Sequence, residues 1–334
     1  MPPKSSKVKQ KGASGYELPE HIVEGTVVEA LGQKGLQFRF GKSIGTGGFG
    51  EIYLASKDVS RNVGDEATLA IKIEPHLNGP LFVEMNFYIR AAPEKYVEEW
   101  KREKNLKSFG MPCLRGHGSH MYNGKKYRFL VMDRFGKDLQ KIFKTGEKLF
   151  TPKVTYNLAL KVLDVLEFIH SKGILFRAYF CFSCQDSFIY LFHHSKGYCH
   201  NDIKAQNMLL GFGRTKENDV YLVDFGLVSK YQKDGVHFEN KPDARKAHDG
   251  TIEYTSRDAH TGTHARRSDL EILGYNLVHW MSGELPWMDK LTDQLQVEKQ
   301  KKAYMQDIQK FLSTCFNTKD YPGTTYYFFS HLSI

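Results

Sequence analysis

An α+β fold, with a small β-rich part ahead of a larger helical part, is what this sequence predicts, and three observations predict it. Strand-like runs gather between residues 36 and 132, whereas the first long amphipathic pattern, with Leu158, Val162, Val165, Leu166 and Ile169 at helical spacing, begins only at residue 151. An apolar share of 41% across 334 residues is enough to bury a real core, in one two-lobed domain or two small ones.

The elements follow in order. Residues 1–16 hold Lys4, Lys7, Lys9 and Lys11 among Pro, Ser and Gly, too polar to fold alone. A basic flexible tail is expected over residues 1–34, with the folded domain over 35–334. Residues 36–54 alternate around glycines in the manner of strand, tight turn and strand. Residues 68–74 read as an apolar strand, and residues 81–92 as a helix started by Pro80. A further strand is expected over 127–132 and the long helix over 151–170.

A net charge of +9 and a pI near 9.1 favour acidic partners such as nucleic acid, chromatin, acidic protein tails or anionic membrane surfaces; a solvated basic surface is the plain alternative. Five scattered cysteines, without a charged-then-apolar leader, do not resemble a disulfide framework and suggest a reducing, intracellular compartment.

Four motifs carry chemistry. Ile44-Gly45-Thr46-Gly47-Gly48-Phe49-Gly50-Glu51-Ile52 contains G-x-G-x-x-G. Dinucleotide-binding folds use that spacing too, but theirs opens a helix, whereas here a strand pattern continues. Lys72 stands in the apolar run Leu69-Ala70-Ile71, where an ammonium is costly unless an anion meets it. Glu84 on the following helix is the candidate carboxylate, because Glu74 lies too close on the same strand. His200-Asn201-Asp202-Ile203-Lys204-Ala205-Gln206-Asn207 matches H-x-D-x-x-x-x-N, and Asp224-Phe225-Gly226 follows the apolar run 220–223.

In this order the four motifs resemble those of protein kinases, whose chemistry is positioning and charge neutralisation around a transferring γ-phosphoryl group. The resemblance implies a bilobal fold with ATP between the lobes and Mg²⁺ as the companion ion. Asp202 would accept the substrate hydroxyl proton, Asn207 and Asp224 would offer hard oxygen ligands to Mg²⁺, and Lys204 would reach the transferring phosphate. Longer words narrow the likeness: Gly79-Pro80-Leu81-Phe82, the stretch from Phe129 to Gly136, His248-Asp249-Gly250-Thr251-Ile252-Glu253-Tyr254-Thr255-Ser256, and Arg266-Arg267-Ser268-Asp269-Leu270-Glu271. Over about 35–322 the chain resembles the vaccinia-related kinases, in the casein-kinase-like group of serine/threonine kinases. That resemblance implies a nuclear or chromatin-associated kinase acting on protein substrates such as histones and chromatin-binding proteins; the cytoplasm is the alternative location, a monomer without a membrane partner is expected, and direct nucleic-acid binding is left open. It also implies an adenine pocket gated by Met132, a hinge over 133–135 including Asp133 and Phe135, and further nucleotide contacts at Ala70 and Leu209.

Several features depart from mainstream kinases. Asn201 occupies a position that is often arginine, so no guanidinium there can grip an activation-segment phosphate, and activity without that phosphate is expected. No Ala-Pro-Glu triplet follows Asp224; Thr255-Ser256-Arg257 stands in its region.

Residues 174–197 interrupt a junction that family members make almost directly. His170-Ser171-Lys172-Gly173 recurs as His194-Ser195-Lys196-Gly197, the mark of a translated intron or splice variant. Arg177, Gln185 and Asp186 break its apolar run and argue against a membrane span. Cys181 and Cys184 lack a second ligand pair for a metal or redox site. The aromatic run reads as an aggregation liability rather than a docking patch. Residues 323–334 have no helical period, so the closing helices are expected to be incomplete. Two rivals to an active kinase follow: a catalytically impaired scaffold, or a non-functional variant.

Overall fold

A computed structural model describes residues 15–145, 149–170, 197–233, 236–239, 241–317 and 321–332. The chain divides into two compact units, Met1–Val97 with Pro112–Phe135, and Glu98–Met111 with Gly136–Ile334. The expected insertion, apart from Gly197, lies outside the described residues, as does the extreme end of the chain.

The first unit is a six-stranded antiparallel sheet in the order β1-β2-β3-β4-β6-β5. Its strands are β1 (Val27–Glu29), β2 (Gln37–Thr46), β3 (Glu51–Ser56), β4 (Leu69–Pro75), β5 (Leu114–Tyr122) and β6 (Lys125–Asp133). Alternation puts Phe38 and Phe40 of β2 and Phe129 and Val131 of β6 into one core with Tyr53, Ile71 and Ile73. Helix α1 (Pro80–Ala91) starts at the proline and buries Leu81, Phe87 and Tyr88. α2 (Glu94–Glu103) follows.

The tail boundary drawn at residue 34 falls too late. Val28 pairs with Phe38, and Ile22 and Val28 are core residues. Tyrosine hydroxyls hold the preceding backbone, with Ile22 N donating to Tyr53 Oη at 2.8 Å. Single apolar residues among polar ones carry no period, so this docking was not readable from the chain.

In the second unit β7 (Phe135–Asp138) joins β9 (Met208–Gly211) and β10 (Val220–Leu222) in a sheet of order β10-β9-β7. Between them in sequence stand α3 (Leu139–Thr145), α4 (Pro152–His170) and β8 (Tyr198–Cys199), the last paired with β11 (Ser229–Lys230). A two-residue hairpin, β12 (Gln232–Lys233) and β13 (Val236–His237), comes next. The helices that follow are α5 (Arg257–His260), α6 (Arg266–Ser282), α7 (Gln294–Tyr304), α8 (Ile308–Phe316) and α9 (Gly323–Ser330). Apart from Leu270, every residue of 268–281 on α6 is buried, the mark of a central helix. α9 corrects the expectation of a non-helical end. Its Phe329 is fully buried beside Phe311, ring centroids 5.3 Å apart, and a Cβ on Gly274 of α6 would come within 2.7 Å of the Phe329 ring. Among the described residues no helix is long and apolar enough to cross a membrane.

Candidate active site

In the first unit the glycine-rich turn occupies residues 47–50 between β2 and β3, closed by Gly47 N donating to Gly50 O at 2.8 Å. Gly50 is required by packing, since a Cβ there would lie 2.2 Å from Ile73 O. Gly45 has nothing within 4 Å of such a Cβ and Gly47 only Gly50 O at 3.8 Å, so protein packing does not demand these two. Bare backbone facing open space is what a phosphate cradle needs. At the turn, Phe49 meets the Tyr16 ring at 5.2 Å and its carbonyl accepts from Asn78 Nδ2 at 3.1 Å.

On β4, Lys72 Nζ donates to Glu84 Oε2 at 2.8 Å, and Glu84 is only 1% exposed. Glu74 stands two residues further along the same strand. Its Oε2 accepts the Leu81 amide at 3.1 Å and fastens the first turn of α1, the helix that carries Glu84. One strand thus supplies both the cation and the anchor of the helix that faces it.

Other residues marked for nucleotide contact have partners of their own. Glu51 accepts from Tyr53 Oη at 2.6 Å and lies 3.3 Å from His21 Nδ1. Burial first, then the Glu51 hydrogen bond, raises the Tyr53 pKa. Asp133 takes a two-pronged hydrogen bond from Arg115, Nε to Oδ1 at 2.8 Å and Nη2 to Oδ2 at 2.9 Å. The Asp133 carboxylate is thus engaged by the protein's own guanidinium. Ala70 and Met132 are register partners on β4 and β6. Ile44 is exposed on β2, while Phe135 opens β7.

The second unit builds the loop 200–207 around Asp269 of α6. This carboxylate has no exposed surface and accepts three hydrogen bonds: from His170 Nε2 and the His200 amide on Oδ2, both 2.8 Å, and from the Asn201 amide on Oδ1, 2.9 Å. Burial opposes its ionisation, but the His170 hydrogen bond and the charges around it hold its pKa below the usual carboxylate value. Asn201, with φ at 68°, donates Nδ2 to Leu227 O at 2.8 Å and to Ser229 Oγ at 2.9 Å. A neutral amide therefore ties the loop to the segment after Asp224, where an arginine would have offered a site for phosphate.

Asp202 is nearly buried and surrounded by donors. Lys204 Nζ stands 2.7 Å from Oδ2, Asn207 Nδ2 donates to Oδ2 at 3.1 Å, and Thr251 donates both its amide (3.0 Å) and its hydroxyl (2.7 Å) to Oδ1. Lys204 also donates to Thr251 Oγ1 at 2.7 Å. Asn207 and Asp224 are brought together by register: Met208 pairs with Leu222, Leu209 with Tyr221, and Val223 N donates to Asn207 O at 2.8 Å. Asp224 adopts a left-handed φ of 65°, and Phe225 beside it is buried, 4.8 Å from the His200 ring. Burial keeps His200 below the ordinary histidine pKa; its Nδ1 accepts the Asp202 amide at 3.2 Å.

Thr251 and Asp269 stand in the sequence as single residues within longer words, with no local pattern that gives either a role. Thr251 lies 49 residues from Asp202 in the chain, and nothing local marks it. The flanks of the expected insertion share anchors. Tyr231 Oη donates to His170 O and Tyr231 N to Gly197 O, both at 2.8 Å, while Asp269 holds His170 and the loop from 200.

No protein-family model matches the chain. Its fold is that of a protein kinase: a solved structure of vaccinia related kinase 3 superposes with a TM-score of 0.72 at 25% identity, covering 94% of this chain and 92% of that one. Nucleosomal histone kinase 1 of Drosophila melanogaster is 44% identical over 303 residues, 90% of this chain, although the chain spans only 45% of that protein's length. A probable serine/threonine-protein kinase of fowlpox virus is 37% identical over 304 residues, 90% of this chain and 87% of its own length. The chain belongs to the vaccinia-related kinase family and is a serine/threonine protein kinase by its likeness to such relatives as the fowlpox protein.

Proposed function

We propose that this protein is an ATP-dependent serine/threonine kinase acting on nuclear, chromatin-associated proteins, with histones as its first substrate class. The observation that carries the reading is the Asp202 cluster, in which a base, a cation and a threonine hydroxyl meet within hydrogen-bond distance. Asp202 orients and deprotonates the substrate hydroxyl, and Lys204 neutralises charge on the transferring phosphate. Lys72, held by Glu84, serves the α- and β-phosphates, and the glycine-rich turn covers them with backbone amides.

Asn207 and Asp224 fit Mg²⁺ by their hard oxygen donors and by the strand register that brings them together. When bound, the ion neutralises phosphate charge during transfer. The histone assignment follows the name of the Drosophila relative, while the basic charge of this chain favours the acidic DNA that accompanies histones in chromatin, and a nuclear location follows the same reasoning.

The test is transfer of labelled phosphate from ATP to core histones and to acidic proteins, with Mg²⁺ and with EDTA. Mg²⁺-dependent labelling of Ser or Thr in histones is expected. Equal labelling with Lys72→Met, or none from wild-type protein on any substrate, would overturn the reading.

A further inference from the structure

Helix α7 carries a lysine with no exposed surface, and that lysine has no role in the chemistry described above. Lys301 is 0% exposed, and its ammonium has three acceptors: Ile252 O at 2.8 Å, Thr255 O at 2.7 Å and His260 Nε2 at 3.5 Å. The rings of Trp287 and Tyr275 lie 5.2 and 5.3 Å from its Nζ. Among the described residues no carboxylate is within ion-pair distance of it. An ammonium buried on neutral acceptors and aromatic faces is a costly arrangement, and burial pushes its pKa well down. Such a group is informative because of what it holds.

What it holds is the stretch 248–256, which ends beside Arg257 and contains Thr251. Two of its carbonyls end on Lys301, and a third, Glu253 O, accepts Trp287 Nε1 at 2.8 Å. The third lysine contact reaches the same stretch indirectly. With Nε2 of His260 accepting from the ammonium, its Nδ1 carries the proton and donates to His248 Nδ1, 2.7 Å away. At the far end, Arg257 N donates to Glu271 Oε1 at 2.9 Å. The stretch is thus fastened from the helical side at 248, 252, 253, 255 and 257.

We propose that Lys301 is a positioning residue that holds 248–256, and through it Thr251 on Asp202, in working register without phosphate on that segment. The proposal rests on the kinase reading above. It supplies the positive reason for phosphate independence that Asn201 gives only by default. In kinases that use the switch, a surface arginine gains a phosphate and orders the segment from solvent. Here the donor is internal and bonded to the segment's own carbonyls.

His248, His260 and Glu298 also bring their ligating atoms close together. The two histidine nitrogens that face each other are engaged with one another, and the remaining His260 nitrogen faces an ammonium. The hydrogen-bonded reading therefore accounts for this group without an ion.

The test compares phosphatase-treated wild type with Lys301→Met and Lys301→Arg in turnover, substrate KM, ATP affinity and amide exchange. A displacement of about 1 Å at Asp202 costs on the order of a hundredfold in rate, so Lys301→Met should lose ten- to a hundredfold in kcat, with ATP affinity within about twofold. Exchange should accelerate at 251–256 and stay slow in α6. Lys301→Arg, which keeps charge and donors, should recover part of the loss. Wild-type turnover in Lys301→Met overturns the proposal, and so does exchange that accelerates equally through α6. If neither variant folds, phosphatase-treated wild type decides: slow exchange at 252–256 supports the proposal and fast exchange overturns it. Absence of transfer by wild type would count against the kinase reading alone, because exchange reports the fastening without activity.

Discussion

Replacing Asp269 by Asn probes the joint that holds the loop carrying Asp202, the base proposed above. The wild-type carboxylate accepts from His170, His200 N and Asn201 N with no exposed surface. An amide placed with its oxygen at the Oδ2 position keeps two of these bonds. It then sets its own NH₂ against the Asn201 amide, so one charge-assisted bond becomes a clash of two donors. Hydrogen bonds to charged groups contribute about 1.5–3 kcal/mol, and an unsatisfied buried donor costs about 1–3 kcal/mol more, giving roughly 3–5 kcal/mol of destabilisation. Because Asn201 directly precedes Asp202, turnover should fall more than nucleotide affinity, by on the order of a hundredfold for a shift of about 1 Å. Urea unfolding and steady-state assays measure both. The pH dependence adds a check of sign. The Asp269 pKa is lowered in the folded state, so its contribution is present above the ordinary carboxylate range and lost as pH falls through that lowered value. The stability gap between wild type and Asp269→Asn should therefore narrow in acid. A gap below about 1 kcal/mol at neutral pH, with normal turnover, would refute the reasoning.

Three further outcomes are expected. Thr251→Val should reduce kcat by at least about tenfold while Thr251→Ser, which keeps the hydroxyl on Asp202 and Lys204, stays within a few fold; equal losses would deny the hydroxyl its part. Burial lowers the pKa of His260 to about 2 and of His279 to about 4, so their effect is to reduce stability below about pH 6.5, by on the order of 1.4 kcal/mol per pH unit for each. Asp164, raised to about 6 by burial and by Glu167, works weakly in the opposite direction, and a urea midpoint that does not fall between pH 7.5 and 5.5 would contradict this balance. Deleting residues 174–197 should raise soluble yield and turnover, since His170 and the chain from 197 onward share the anchors Tyr231 and Asp269; lower activity after deletion would make that stretch a functional module.

The strands around the glycine-rich turn, α1 and α4 were legible because alternation and helical spacing each bury one face, as Phe38 with Phe40 and Val162 with Ile169 do. Lys72 and Glu84 were legible as a pair because a cation in an apolar strand demands an anion, and the next helix offered one. α9 was not legible. Its Thr, Tyr and Phe residues have weak helix propensity and no charged face, and only packing against Gly274 and Phe311 makes the helix. Thr251, Asp269 and Lys301 were hidden for a different reason. Each acts through contacts with residues distant in sequence, and a single Thr, Asp or Lys carries no pattern of its own.

The central claim is that Asp202 is the base of a phosphoryl transfer, and the most direct measurement is labelled phosphate transfer to histone by wild type and Asp202→Asn, with ATP binding followed in parallel. The account predicts transfer by wild type, a loss of orders of magnitude in the variant, and ATP affinity changed by no more than a few fold. Near-normal turnover in Asp202→Asn would contradict it.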